Sequence, residues 1–154
     1  MLQYGVEVFC QKCQAVGIDG LIIPDLPAQV YDQEYKAIFE RYGLLNIFLI
    51  TPQTSKTRVR YMDSISKGFI YMVSSASTTG GQSGFGQKQQ DYFKRIDNLN
   101  LKNPQIVGFG ISDNKTFKQA TTHAKGAIIG SAFIKHLADK GVHKIHDFIS
   151  GILD

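Results

Sequence analysis

Five short apolar runs, each followed by a stretch with apolar residues at helical spacing, set what this chain of 154 residues can fold into. The runs are Gly20-Leu21-Ile22-Ile23, Asn46 to Ile50, Phe69 to Val73, Gln105-Ile106-Val107-Gly108 and Gly126-Ala127-Ile128-Ile129. They are nearly continuous in apolar character rather than alternating, which suits strands covered on both faces, as in a parallel sheet. Helical spacing is predicted over Val6 to Val16, Gln29 to Tyr42, Lys56 to Ser66, Asp91 to Leu99, Asn114 to His123, Ser131 to Ala138 and His143 to Leu153. Gly17 and Gly43 close the first two, as helix stops should. Parallel strands need crossover connections, so the order predicts an α/β fold with five parallel strands and crossover helices. With 43% hydrophobic and 19% charged residues, the chain has the make-up and length of one globular domain.

Several function classes drop out. The net charge of +4 comes from scattered basic residues, with no stripe or recognised motif beside it, so no nucleic-acid partner is predicted. No run of about 18 apolar residues exists, which removes a membrane-spanning helix. Met1-Leu2-Gln3-Tyr4 lacks the basic and apolar regions of a signal peptide. Cys10 and Cys13 have the C-x-x-C spacing of a redox pair or half a zinc site. They fall in a helical stretch without a second ligand pair, and are predicted to be inert, half-buried thiols in a reducing, cytoplasmic setting. His143 and His146 are three apart on a helix, and two ligands alone do not make a metal site, so no metal is expected.

The strand exits carry the chemistry. Each strand leaves the sheet through Gly, Pro, Ser or Thr, and in a (β/α) barrel the active site is built from these exits. Two stand out: Gly108-Phe109-Gly110-Ile111-Ser112 and Ile129-Gly130-Ser131-Ala132 follow the last two strands. Glycine permits close backbone approach, and converging N–H groups make a hollow for a dianionic phosphate. A helix opening at Ser131 adds its free N-terminal amides and the positive end of its dipole. The alternative for each glycine pair is an ordinary tight turn and N-cap. Ser74 to Gly86, rich in Gly, Ser and Thr, is predicted to be a lid rather than a linker, because it interrupts the strand–helix series in mid-domain.

These motifs, in this order, resemble the tryptophan synthase alpha subunit family. The residues that carry the resemblance are Gly17 to Pro27 (GIDGLIIPDLP), Gly68 to Ser74 (GFIYMVS), Thr79-Gly80, Val107 to Ser112 and Ile129 to Ala132, spread nearly end to end. The resemblance implies a TIM barrel that cleaves indole-3-glycerol phosphate to indole and glyceraldehyde 3-phosphate in tryptophan biosynthesis. It implies a beta-subunit partner in an alpha2beta2 complex, which takes the indole and holds the pyridoxal phosphate, so no cofactor of the chain's own. Motif by motif, the phosphate cradle falls on Gly80, Gly110, Gly130 and Ser131. Ile22, Tyr71, Phe109 and Ile128 line the substrate pocket, Thr79 sits in the lid, and Asp25 faces the beta subunit. The lid departs from the family wording, with Ala76-Ser77-Thr78 ahead of the retained Thr79.

The larger departure is length. A full (β/α)₈ barrel needs about 250 residues. The resemblance implies a partial barrel, residues 1–154 being one incomplete domain that starts in the helix before the fourth strand. The family's catalytic Glu and Asp lie at and after the second strand, and no residue here inherits them by motif. Of the acids present, Asp25, Asp97 and Asp113 are expected near the loop face. A truncated or split gene product is expected, truncation being favoured; the alternatives are a fragment that dimerises or pairs with an N-terminal half, or a misplaced start. The chain alone is expected to be inactive, an enzyme part needing the missing half. The competing reading is a non-catalytic half-barrel that binds phosphate or docks on the beta subunit. A different phosphate-sugar barrel fits less well, given the tyrosine-bearing strand Gly68 to Ser74 and Thr79-Gly80.

Overall fold

A computed structural model describes residues 1–74 and 84–154. The strands are β1 (Gly20–Ile22), β2 (Leu45–Ile50), β3 (Ile70–Val73), β4 (Gln105–Gly108) and β5 (Gly126–Ile128). They form one five-stranded sheet in the order β1-β2-β3-β4-β5, every pair parallel. Sequential order with right-handed crossovers places the connecting helices on one face of the sheet, as in a barrel wall.

The helices are α1 (Val6–Ala15), α2 (Ala28–Val30), α3 (Lys36–Arg41), α4 (Lys56–Ile65), α5 (Gln87–Asp97), α6 (Asn114–Thr121), α7 (Ser131–Lys140) and α8 (Ile145–Leu153). Between α2 and α3 the backbone takes a π-helical turn, Tyr31–Tyr35, so the expected single helix over 29–42 is interrupted. The widened turn accommodates Tyr31, whose ring packs edge-on to Phe39 and Phe48 at 5.3 and 5.4 Å. Burial drives its phenol up to about 12. Helix α5 starts four residues before the expected Asp91, because the polar Gln87 to Gln90 turn hides the apolar period that Tyr92, Phe93 and Ile96 then supply.

Side chains alternate across a strand, so register assigns the faces. Phe48, Ile50, Ile70, Met72 and Val107 belong to the core under the helices. The other face carries Leu49, Tyr71, Ile106 and Gly126, in register across β2 to β5. One step further along lie Val73, Gly108 and Ile128, again in register. In a (β/α) barrel, a face of this kind forms the inner wall.

At the entry ends of the strands, Asp63 is buried and accepts from the backbone N–H of Lys102 and Asn103, both at 3.0 Å, and from Asn103 Nδ2. Asp97 also lies at that end, where α5 finishes, and pairs with His123 at 3.1 Å. The expectation that Asp97 sits near the loop face is therefore corrected: a helix that returns antiparallel to the strands brings its last residue back to their start. The two thiols are corrected as well. Cys10 and Cys13 are buried in the core rather than half-buried, and burial holds the Cys10 thiol above its usual range, with Cys13 and Glu7 adding to it. A thiol kept protonated in an apolar site is unreactive. His143 and His146 lie exposed near the C-terminal end.

Candidate functional site

The exit ends of β3, β4 and β5 converge on one place. Tyr71 stands on β3 opposite Ile106, its ring reaching diagonally to Gly108 two residues further along β4, where a side chain would collide with the Tyr71 ring and hydroxyl. The missing Cβ at Gly108 is therefore what leaves room for the Tyr71 ring over the neighbouring strand. Phe109 follows, its ring centroid 6.0 Å from that of Tyr71, a tilted aromatic pair. Phe109 is 41% exposed on the open side, while Tyr71 is almost covered. Burial pushes the Tyr71 phenol above its ordinary range, so it stays a neutral hydroxyl.

Beyond the aromatic pair the backbone turns left-handed at two residues in a row, with φ of 68° at Phe109 and 75° at Gly110. Ser74, just past β3, donates its hydroxyl to the Phe109 carbonyl at 2.7 Å and its N–H to the Gly108 carbonyl at 3.2 Å. Phe85 closes the side: its ring would be 3.2 Å from a Cβ on Gly110 and meets Phe93 edge-on at 5.2 Å. The Phe85 N–H is held by Gln119 of α6 at 3.1 Å.

On the next strand, Ile128 is the register partner of Gly108. Gly110 and Gly130 thus each lie two residues past a paired position on neighbouring strands, at the same end of the sheet. Gly130 is the N-cap of α7, nothing lies within 4 Å of where its Cβ would be, and Ser131 is the exposed first residue of that helix. The open amides of a ten-residue helix point out of this end.

Asp113, at the same end, is committed elsewhere. It caps α6, accepting from the Thr116 N–H at 2.8 Å and from the Thr116 hydroxyl at 2.7 Å. The backbone N–H of Thr116, then its hydroxyl, hold the Asp113 carboxyl below its ordinary range. Asp25 is exposed in the turn after β1. It borders a cavity of 310 Å³ between the β1 and β2 exits, shared with Pro24, Phe48, Thr54 and Arg58. Arg95 fixes the β2 exit by donating to the carbonyls of Pro52 and Thr54 at 3.0 and 3.1 Å.

Of the residues expected from sequence, Tyr71, Phe109, Gly110, Ile128, Gly130 and Ser131 fall on three adjacent strands and their exits. Ile22 shares their face but stands two strands from Tyr71, beside Ile47 on β2. Gly80 and Thr79, with Ala76, Ser77 and Thr78, lie outside the described residues. Sequence reasoning missed Leu49, the register partner of Tyr71, and assigned Ser74 and Phe85 to the lid, whereas both are fixed beside the β4 exit; residues 75–83 of that stretch lie outside the described residues. Nothing in a continuous run such as NIFLI marks Leu49 as the residue that faces inward. Among the described residues, no group of three or more His, Cys, Asp or Glu is arranged to hold a metal ion, and no helix is long and apolar enough to cross a membrane.

Known proteins share sequence and fold with this chain. The family model for the tryptophan synthase alpha chain matches residues 1–150. The tryptophan synthase alpha chain of Flavobacterium johnsoniae is 72% identical over 152 residues, covering 99% of this chain and 60% of the relative. That of Bacteroides thetaiotaomicron is 54% identical over 140 residues, 91% of this chain and 55% of the relative. The chain therefore spans about 60% of the length of the first of these relatives. Among solved structures, the tryptophan synthase A-subunit of Pyrococcus furiosus superposes with a TM-score of 0.83 at 26% identity, covering 99% of this chain and 62% of that one. The tryptophan synthase a2b2 complex of the same organism gives 0.82 at 26% identity, with 99% and 61% covered. With a family model matched over nearly every residue and the parallel barrel wall to go with it, this chain belongs to the tryptophan synthase alpha chain family.

Proposed function

We propose that this chain supplies the phosphate- and indole-binding half of a lyase that cleaves indole-3-glycerol phosphate to indole and glyceraldehyde 3-phosphate. The observation that carries the reading is the register of β3, β4 and β5. It sets the Gly110 and Gly130 exits on neighbouring strands, next to the Tyr71–Phe109 aromatic pair. A phosphate ester with an aromatic ring has that shape, anionic at one end and flat and apolar at the other. In this reading Gly110, Gly130 and Ser131 hold the phosphate, with Gly80 as a further member. Tyr71, Phe109, Ile128 and Ile22 form the apolar wall, joined by Leu49, and Thr79 belongs to the lid.

Carbon–carbon cleavage here needs a proton delivered to indole C3 and another taken from the glycerol hydroxyl, work for a placed general acid and base. Asp113 is engaged as a helix cap and Asp25 sits in an exposed turn, so neither is supported in that role. The chain binds and orients, and the acid–base groups come from the rest of a complete family member. We propose that residues 1–154 act as one incomplete barrel domain, and that the Asp25 turn faces a beta subunit that brings the pyridoxal phosphate. This chain needs no cofactor of its own, and a cytoplasmic setting accords with the reading.

Titration of the full chain with glycerol 3-phosphate tests the cradle. Gly130→Asp introduces a carboxylate where the dianion sits, at a position with open space for the side chain. At least a tenfold loss of affinity, with an unchanged melting temperature, is expected, and equal affinity overturns the assignment. Mixing the chain with the portion of a family member that precedes the matched region is expected to restore indole release. Silence with intact phosphate binding favours a non-catalytic half-barrel instead.

A further inference from the structure

We infer that Ser74 is a positioning residue for the phosphate cradle: its hydroxyl holds the left-handed Phe109–Gly110 turn that presents the Gly110 amide to the anion. The inference rests on the phosphate reading above and adds to it a residue that touches no ligand. Both Ser74 donors are used on consecutive carbonyls of the β4 exit, the N–H on Gly108 and the hydroxyl on Phe109. Ser74 is 1% exposed, so the hydroxyl bond is made away from water.

The geometry it restrains is one that the sequence resists. Positive φ is rare outside glycine, and for a bulky side chain it is an outlier. Among the described residues only Asn100 and Phe109 show it without being glycine. Asn adopts this conformation readily, whereas Phe must be held in it. The consequence for the site follows from the planar trans peptide. The Phe109 carbonyl and the Gly110 N–H belong to one peptide unit and point in opposite directions. With the carbonyl drawn to Ser74, the Gly110 N–H is turned away from it, and it has no acceptor among the described residues. Tyr71 packs against Gly108 and Phe85 beside Gly110, one on each side of Phe109.

Ser74→Ala in the 154-residue chain, titrated with glycerol 3-phosphate and with inorganic phosphate, tests this. The expected loss is about tenfold, equivalent to about 1.4 kcal/mol, for both probes. Glycine takes positive φ without penalty, so in a Phe109→Gly background the further change Ser74→Ala is expected to cost no more than about twofold. This coupling is the readout that a merely structural serine would not give. Equal affinity of wild type and Ser74→Ala overturns the inference and leaves the cradle intact. A tenfold loss that persists in the Phe109→Gly background overturns it too, since Ser74 then acts by another route. A wild-type chain that binds neither probe overturns the phosphate reading, and the inference with it. If Ser74→Ala is too unstable to titrate, Ser74→Cys, with a weaker donor of similar shape, is expected to lose affinity in the same direction, and unchanged affinity there counts against the inference.

Discussion

Strands β2, β3 and β4 and the two outer strands are built from similar residues, yet they are packed differently. Ile50, Ile70, Met72 and Val107 on the central strands are fully covered, while no residue of β1 or β5 is buried. The helices divide the same way: α5 buries Tyr92, Phe93 and Ile96, whereas α7 buries none of its ten residues. Among the described residues, the exposed large apolar side chains fall at positions from Leu2 to Ile22 and from Phe109 to Leu153, and none between. An element of a barrel wall is covered by its two neighbours as much as by the sheet beneath it. Where a neighbour is present on both sides the interior is closed, and at the two edges it is open on one side. The edges also present unpaired backbone groups, which invite strand pairing. The candidate site straddles this divide, its aromatic wall rooted in β3 and β4 and its helix terminus on β5.

The comparison predicts a gradient of mutational cost. Phe93→Ala, in the closed centre between Phe85 and Tyr92, is expected to lower unfolding free energy by about 3–5 kcal/mol, measured by urea denaturation. A cost near that of an edge residue would break the distinction. Gly108→Ala forces a methyl into the Tyr71 ring, and overpacking of this kind costs about 1–3 kcal/mol. The same variant is expected to weaken binding of indole more than of glycerol 3-phosphate, because the ring and not the cradle is displaced.

Asp113→Ala, at the boundary where β4 hands over to α6, is expected to cost about 1 kcal/mol at neutral pH, the usual worth of an N-cap. The Thr116 N–H and hydroxyl hold its folded carboxyl below the ordinary carboxylate range, so the stabilisation is fully present above that range and disappears as pH falls through the depressed value. Denaturation curves of wild type and variant should therefore converge in acid, and a constant gap would mean that the cap acts without its charge. Ile134→Ser, at a 63% exposed residue on α7, is expected to change stability by no more than about 0.5 kcal/mol. A larger loss would show that this residue is covered in solution.

Much of the fold was legible because its signals are local. Apolar runs such as NIFLI, helical spacing such as Val59, Met62 and Ile65, and glycine stops such as Gly17 and Gly43 each depend on a few neighbouring residues. The ends of helices were legible only where the apolar period reached them, which is why Gln87 to Gln90 were missed. Depth was less so: Cys10 and Cys13 looked half-buried on an amphipathic face, and only the packing of α1 against its neighbours covers them fully. Asp97 looked like a loop-face acid until the direction of α5 carried it to the other end.

By itself, then, the sequence determined the alternation of strand and helix, the parallel sheet it requires, and the glycine-bearing exits of the last two strands. Tertiary structure alone decided which side of each strand faces inward, hence that Leu49 stands beside Tyr71, and that Ser74 reaches across to the Phe109 carbonyl. The reason is physical. Propensity and spacing act over a few residues of chain, whereas register and hydrogen bonds between strands join residues such as Ser74 and Phe109, 35 positions apart, which nothing in either local segment specifies.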